Sequence, residues 1–211
     1  MATTGLRDLK KARTRRLIAD TAARLFAERG YERVAVSDVA REAEVAEQTV
    51  YNYFPTKEQL VIDREQQVQD RLRDLIRSRP AGVTPSAAIR GFVLESVAGI
   101  RSIPPEIWRG ELGYLAAISP TVHRLVLELT DRQAASLAAA ISDTTAVAPE
   151  VARLQGIALA AVFQIIITDV GRRARDGQSQ DEIADELRPV VENILDELDR
   201  WMSISAPSAR H

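Results

Sequence analysis

Apolar residues recur every three or four positions along most of the chain, and this spacing restricts the possible folds more than any other feature. In segment 17–26 such a stripe runs up to Gly30, a residue type that commonly follows a helix. Apolar residues at this spacing share one face of an α-helix. The alternating runs that are typical of strands are few. The pattern predicts an all-α fold of about nine helices without an internal repeat.

Capping residues and prolines mark where these helices begin. Thr56 and Gln59 have the spacing of a capping box, which predicts one long helix ending near Arg79. Four other signals predict further helix starts: Thr84-Pro85, Ser119-Pro120, Pro149, and Ser179 with Glu182. Pro189 lies inside the last helical stripe and predicts a kink or an unpaired carbonyl there.

Positive charge is concentrated at the N-terminus of a chain whose formal net charge is -2. The first sixteen residues contain six Lys and Arg against one Asp. We predict a basic arm, residues 1–12, that contacts a polyanion with Lys10, Lys11 and the adjoining Arg13. A solvated, disordered tail is the alternative. The chain has no cysteine, which excludes disulfides and thiolate zinc sites and fits a reducing cytoplasm.

Two short helical stripes, near 36–43 and 47–54, are separated by Glu44, Val45 and Ala46. A three-residue connection is expected of a helix-turn-helix, whose second helix enters the major groove of DNA. A helical wheel divides the second helix into a polar arc and an apolar side: Gln48, Thr49, Tyr51 and Asn52 against Val50 and Phe54. The apolar side would pack on the preceding helices, which leaves the polar arc for a groove.

The side chains of the polar arc suit DNA chemistry. Gln48, Thr49 and Asn52 are predicted to contact bases, because amides pair with adenine and threonine offers a hydroxyl or a methyl group. The predicted phosphate contacts are Tyr51, Tyr53, Lys57 and Ser37. The alternative is a small polar helix that covers a core and exposes its amides to solvent.

The segment 13–61, RTRRLIADTAARLFAERGYERVAVSDVAREAEVAEQTVYNYFPTKEQLV, resembles the N-terminal domain of the TetR family of transcriptional regulators. The matching marks are LFAERGY, VSDVA and TVYNYFPTKEQL. The resemblance implies a helix-turn-helix domain over 13–56 and a helical ligand-binding and dimerisation domain over 57–205, followed by a tail, 206–211. It also implies a homodimer on operator DNA that a small ligand releases. It places Gln48, Thr49 and Asn52 near bases, and Tyr51, Tyr53 and Lys57 near phosphates.

The sequence departs from this family in the turn before the second stripe. Glu44 stands where the family usually has Gly, and a left-handed backbone there would cost about 1 kcal/mol. Ala46 stands where a small hydroxyl residue is usual, so the following helix lacks a side-chain cap worth about 1 kcal/mol. Ala35 replaces a common Thr and removes another hydroxyl. Glu47, at the start of the helix, would favour a cytosine amino group and repel other placements.

The helical segment 150–175 is apolar on nearly every side, as GIALAAVFQIII shows. This run is too short for a membrane span, which needs about twenty residues, so it predicts a buried helix and no membrane partner. With the last helix it could form half of a four-helix bundle between two protomers. The predicted interface residues are Leu159, Val162, Ile166, Val191, Ile194 and Leu198. The alternative is that both helices only close the core of one protomer.

A pocket for a small, largely apolar effector is predicted among the central helices. Its candidate residues are Phe92, Trp108, Tyr114, His123, Phe163 and Gln164. Core packing is the alternative role for each of them. His123 has no His or Cys partner at metal-ligand spacing, so neither a metal site nor a cofactor is predicted.

The sequence therefore favours a homodimeric, cytoplasmic transcriptional repressor that a small molecule releases from a palindromic operator. The alternatives are an activator, or a helical adaptor that has kept the fold without ligand-controlled repression. An enzyme is not predicted, because the chain has no nucleophile–base set, no Gly-rich phosphate loop and no histidine pair.

Overall fold

A computed structural model describes residues 2–205, with the side chains of 2–4, 6, 64–66 and 205 left out of the description. The predicted tail, 206–211, lies outside this part of the chain. The described residues form eleven α-helices and contain no strand, which confirms the all-α prediction. The helices are α1 (Ala2–Arg29), α2 (Val36–Glu42), α3 (Glu47–Tyr53), α4 (Lys57–Val61), α5 (Asp63–Arg77), α6 (Pro85–Gly99), α7 (Pro105–Trp108), α8 (Leu112–Ile118), α9 (Pro120–Ser142), α10 (Pro149–Arg175) and α11 (Gln180–Ser205), with short 3-10 turns at Tyr31–Arg33 and Ile100–Ser102.

The first four helices form a small head with its own apolar centre. The side chains of Ile18, Val39, Val50 and Phe54 are fully buried there, where α1, α2 and α3 meet. The spacing of apolar residues in the sequence predicted that these four residues face the inside of the head. The ring of Tyr31 packs on Phe26 with 5.3 Å between ring centroids and closes the turn after α1. The apolar stripes of α1, α2 and α3 therefore bury the inner side of α3 in the head.

The basic arm is part of α1. This helix runs without interruption from Ala2 to Arg29, so the expected boundary at residue 13 does not exist in the structure. Lys10, Lys11 and Arg13 are exposed along it. A helix can continue here because the segment contains no proline and its exposed polar side chains need no core.

The junction between head and body differs from the prediction of one long helix over 56–79. The helix breaks at Ile62, which separates α4 from α5. The expected capping box at Thr56 is wrong, since the Thr56 side chain accepts no capping hydrogen bond at the start of α4. Leu60 of α4 is buried in the head core, so α4 packs with the head.

Helices α5 to α11 form the larger body. The most extensive contact joins α9 and α10, and α11 packs on α6. The helices α9 and α10 approach closely at Gly156, where an added Cβ would lie 2.5 Å from the Ala134 carbonyl oxygen. By length and composition alone α10 could cross a membrane, as core helices of other proteins also could. Here it packs against α8, α9 and α11.

Most predicted helix starts in the body are confirmed. Thr84 accepts a hydrogen bond from the Ala87 amide, and Ser119 accepts one from the Val122 amide. Ser179 and Glu182 form both bonds of a capping box. Helix α11 continues through Pro189, whose ring lies on the exposed side.

Head and body share one apolar cluster. Leu115 of α8 and Val122 and Val126 of α9 are fully buried in the cluster that holds the head core. Beside it, the Ser119 hydroxyl donates to the Glu32 carboxylate at 2.7 Å, and this bond is the main reason that the pKa of Glu32 is lowered. The head is therefore attached to the body by packing and by a specific polar contact, as well as by the chain at Ile62.

Candidate nucleic-acid interface

The turn between α2 and α3 is a Schellman motif with a non-glycine residue in its left-handed position. The Val45 amide donates to the Ala40 carbonyl at 3.0 Å, and the Glu44 amide donates to the Arg41 carbonyl at 3.3 Å. These bonds force Glu44 to a φ of 54°. Glycine is preferred at this position because a Cβ is strained there. The left-handed backbone considered for this turn is thus present at Glu44.

We expect Glu44→Gly to stabilise the fold by roughly 1 kcal/mol, because it removes the Cβ from a left-handed residue. The thermal midpoint should rise by about 2–4 °C for each kcal/mol in a chain of this size. Differential scanning calorimetry measures both. Glu44→Ala is the matched control, since it removes the carboxylate but keeps the Cβ. An equal gain in Glu44→Ala would assign the effect to charge and contradict the strain argument.

Helix α3 presents a polar surface to solvent above its buried apolar side. Gln48, Tyr51 and Asn52 are exposed, and Thr49 is partly exposed. The Gln48 amide donates to the Asn52 side-chain oxygen at 3.2 Å, which aligns the two amides side by side. Val50 and Phe54 are fully buried beneath them. The arrangement brings the three predicted base-contacting residues together on one surface that a groove could cover.

The four predicted phosphate-contacting residues differ in their freedom to reach DNA. Tyr51 and Ser37 are exposed, whereas Tyr53 is partly buried against the head core. The Lys57 ammonium donates to the Tyr31 carbonyl at 2.6 Å and lies 4.1 Å from the centre of the Tyr31 ring. Burial lowers the pKa of Lys57. An ammonium has three donors, so Lys57 keeps donors for a phosphate while it holds the turn after α1.

Arg15 holds α3 in place, a role that sequence reasoning missed. Its guanidinium donates to the Tyr53 carbonyl at 3.1 Å and to Asp63 at 2.7 Å, and it lies 4.7 Å from the centre of the Phe54 ring. Arg15 therefore satisfies a carbonyl at the C-terminus of α3 and connects it to the first residue of α5. In the sequence Arg15 lies in a run of basic residues, and this position suggested only a general attraction to DNA.

The first turns of α2 and α3 lack side-chain caps from the residues that precede them. Neither Ala35 nor Ala46 has a side-chain acceptor, and the missing cap at Ala46 is as the sequence predicted. At α2 the Asp38 carboxylate accepts from the Ala35 amide at 2.9 Å, and this bond is the main cause of the lowered pKa of Asp38. At α3 the exposed Glu47 lies at the positive end of the helix. Acidic residues thus stand near both helix starts that would approach phosphates.

The predicted dimer residues do not form one exposed surface. Leu159, Val162 and Val191 are at most 1% exposed and belong to the core of the protomer. Ile166, Ile194 and Leu198 are partly buried against that core. The prediction is corrected because a helix that is apolar on every side does not reveal which face its own domain covers. The exposed apolar residues of α10 and α11 are Leu154, Ile157, Ile165, Val190 and Ile204.

The predicted pocket residues are dispersed. Phe92, Trp108 and Tyr114 are partly buried against the body core, and Phe163 lies within it. His123 is exposed, and Gln164 is partly exposed on α10. None of the six borders the cavity of about 250 Å³ that lies between the 79–85 turn and the end of α11. This cavity is therefore not lined by the residues that the sequence suggested for an effector pocket.

Comparison with known proteins agrees with the geometry of the head. Residues 18–63 match the sequence model of bacterial regulatory proteins, tetR family. The chain is 27% identical over 134 residues to the HTH-type transcriptional regulator TcmR of Streptomyces glaucescens, covering 64% of this chain and 55% of TcmR. It is 32% identical over 76 residues to YuxN, an uncharacterized HTH-type transcriptional regulator of Bacillus subtilis (strain 168), covering 36% of this chain and 26% of YuxN. The alignments thus span about half and about a quarter of these two relatives.

The whole described fold also has a counterpart among solved structures. NalD of Pseudomonas aeruginosa, the secondary repressor of the MexAB-OprM multidrug efflux pump, superposes with a TM-score of 0.57 at 20% identity. The superposition covers 90% of this chain and 96% of NalD. At this identity the likeness concerns the fold alone. The matches at the N-terminus show that the head, residues 18–63, is a DNA-binding head of the TetR family of transcriptional regulators.

Proposed function

We propose that the protein is a homodimeric repressor that binds a palindromic operator and is released from it by a small molecule. The observation that carries this proposal is the exposed amide pair Gln48–Asn52 on α3, supported from below by the buried Val50 and Phe54. Amides of this kind pair with base edges in the major groove. Tyr51 and Ser37 are exposed for phosphates, while Lys10 and Lys11 extend the positive surface along α1.

A second copy of the chain is the proposed partner of the exposed stripe on α10. Leu154, Ile157 and Ile165 are 53%, 46% and 39% exposed, and their spacing places them on one side of the helix with Ala161. Val190 on α11 is 44% exposed, and α10 and α11 pack on each other. Two such helix pairs would form a four-helix bundle about a two-fold axis. This interface replaces the one built on Leu159, Val162 and Val191.

A small-molecule effector would act through the difference in its affinity for two positions of the heads. Helix α5 is the element that leads from the body to the head. At its first residue the Asp63 carboxylate bonds to Arg15, which also holds the end of α3. A shift of α5 would therefore move α3 through Arg15.

Fluorescence anisotropy with DNA from the region upstream of the protein's own gene tests the repressor proposal. We expect Asn52→Ala to weaken binding to the operator by about 1–3 kcal/mol and to leave binding to unrelated DNA unchanged. Tyr51→Phe should weaken binding to both DNAs and reduce its dependence on salt, because a phosphate contact carries no sequence information.

The second candidate is a helical adaptor that keeps the head but not its DNA binding. Glu44, Glu47 and the uncapped Ala46 favour it, since they place negative charge and no hydroxyl near the expected phosphates. If folded protein binds neither DNA at low salt, the repressor proposal is wrong and the adaptor remains. An activator would bind the operator as a repressor does, and a reporter assay of the regulated promoter separates those two.

A further inference from the structure

A cleft of about 250 Å³ lies at the end of the body that is formed by the 79–85 turn, the 144–147 loop and the last turns of α11. Its apolar lining includes Pro80, Val83, Val147 and Met202. This composition suits a small ligand with an aliphatic part, because binding pockets are mostly apolar with a few directed polar groups. Neither the predicted pocket residues nor the DNA-binding surface of the head contributes to it.

The guanidinium of Arg79 lines this cleft without a negatively charged partner. It donates to the carbonyl oxygens of Ile76 and Val83, and to the hydroxyl oxygens of Thr144 and Thr145. All four acceptors are neutral, and no carboxylate of the described residues forms an ion pair with it. Burial lowers the pKa of Arg79. The neighbouring Arg77 differs, because it is exposed and paired with Asp143 at 2.8 Å. A partly buried cation held only by neutral groups favours the entry of an anion.

A second polar group faces the same space. Gln155 of α10 lines the cleft, yet its side chain is only 2% exposed. An amide that borders a cleft can donate a hydrogen bond to a ligand bound there. Among the described residues, Asp199 is the carboxylate that bonds to a lining residue, and it accepts from the Thr84 hydroxyl at the start of α6.

We propose that this cleft binds a small aliphatic carboxylate. The carboxylate pairs with Arg79 and accepts a hydrogen bond from the Gln155 amide, and the aliphatic chain packs on Val83, Val147 and Met202. A planar guanidinium that is already fixed by four acceptors is a preorganised partner for a carboxylate. The positive end of α6 at Thr84 adds to the same preference for an anion.

The role of this site as an effector site rests on the proposed function. Arg79 follows the C-terminus of α5 by two residues, and Asp63 at the other end of α5 bonds to Arg15 in the head. A ligand that draws Arg79 toward Gln155 therefore acts on the helix that leads to α3. Direct binding to the cleft does not depend on this coupling and is measured without DNA.

Isothermal titration calorimetry of the full chain with octanoate and with 1-octanol tests the proposal. The two probes have the same chain, and only octanoate carries a charge. We expect saturable binding of octanoate at a stoichiometry of one for each chain, and binding of 1-octanol that is at least about tenfold weaker. Absence of saturable octanoate binding to folded protein, or equal affinity for both probes, would overturn the proposal.

Variants locate the binding site. Arg79→Gln should weaken octanoate binding at least about tenfold and abolish the preference over 1-octanol, whereas Arg77→Gln should bind octanoate as the wild type does. Gln155→Leu keeps the volume of the side chain and should also weaken octanoate binding about tenfold. This second variant still tests the site if the Arg79→Gln protein does not fold. Wild-type affinity in both cleft variants would place the octanoate elsewhere. Anisotropy with operator DNA and octanoate then tests regulation separately, since a failure there leaves the binding result intact.

Discussion

Gly110→Ala is expected to push the head away from the body. An added Cβ at this residue would lie 1.8 Å from the Ala23 carbonyl oxygen and 2.5 Å from its carbonyl carbon. Both atoms belong to the backbone of α1, so no side-chain rotation can relieve the clash. Either α1 or the connection between α7 and α8 must shift. Overpacking of this kind costs about 1–3 kcal/mol, and the thermal midpoint should fall by about 2–4 °C for each kcal/mol.

The displacement should also affect the DNA-binding surface. Because α1 carries Arg15, which bonds to the C-terminus of α3, a shift of α1 moves α3 relative to the body. We expect operator affinity and its response to effector to change together in Gly110→Ala. Calorimetry and anisotropy measure the two effects. The matched control is Gly91→Ala in the exposed part of α6, where the added Cβ meets nothing within 4 Å. The free energy of unfolding of Gly91→Ala should rise by up to about 1 kcal/mol, because alanine has a higher helix propensity than glycine. A Gly110→Ala protein as stable as the wild type would show that this contact does not hold head and body together.

The periodic features of the sequence predicted the head well. Val50 and Phe54 lie four residues apart, and both are fully buried, as the helical wheel required. The absence of a cap at Ala46 followed from its side chain alone. The all-α class, the capped helix starts in the body and the TetR-type head were predicted for the same reason. Each depends on local spacing that the tertiary structure leaves unchanged.

The features that were not predicted depend on contacts between distant residues. The break at Ile62 arises because Leu60 packs into the head while Leu72 packs into the body, and one continuous stripe in the sequence does not show this division. Arg15 bonds to Tyr53 and Asp63, which lie 38 and 48 positions further along the chain. The cleft beside Arg79 combines two loops with the end of α11. Helix propensity and apolar periodicity are local properties, so they do not show which distant residues come into contact.

Ile157→Glu is expected to convert the protein to a monomer. The Ile157 side chain is 46% exposed at the centre of the stripe on α10, with Leu154 and Ala161 one turn away on either side. In a two-fold interface each protomer contributes the same patch, so a single substitution introduces two glutamates into one apolar contact. Charges without partners are disfavoured there by several kcal/mol. Sedimentation velocity should report one 23.3 kDa chain instead of two.

The loss of the dimer should weaken operator binding far more than the loss of one base contact does. Two heads joined in one particle bind as a bivalent unit, and bivalency raises apparent affinity by about 10²–10⁴-fold. We therefore expect the affinity of Ile157→Glu for a palindromic operator to fall by a factor of this size. Its helicity by circular dichroism should stay that of the wild type, because residue 157 is exposed in the protomer. Leu127→Glu on α9 is the matched control, since Leu127 is 42% exposed outside the stripe. If Leu127→Glu dissociates the protein and Ile157→Glu does not, the second copy docks on α9, and the α10 interface is wrong.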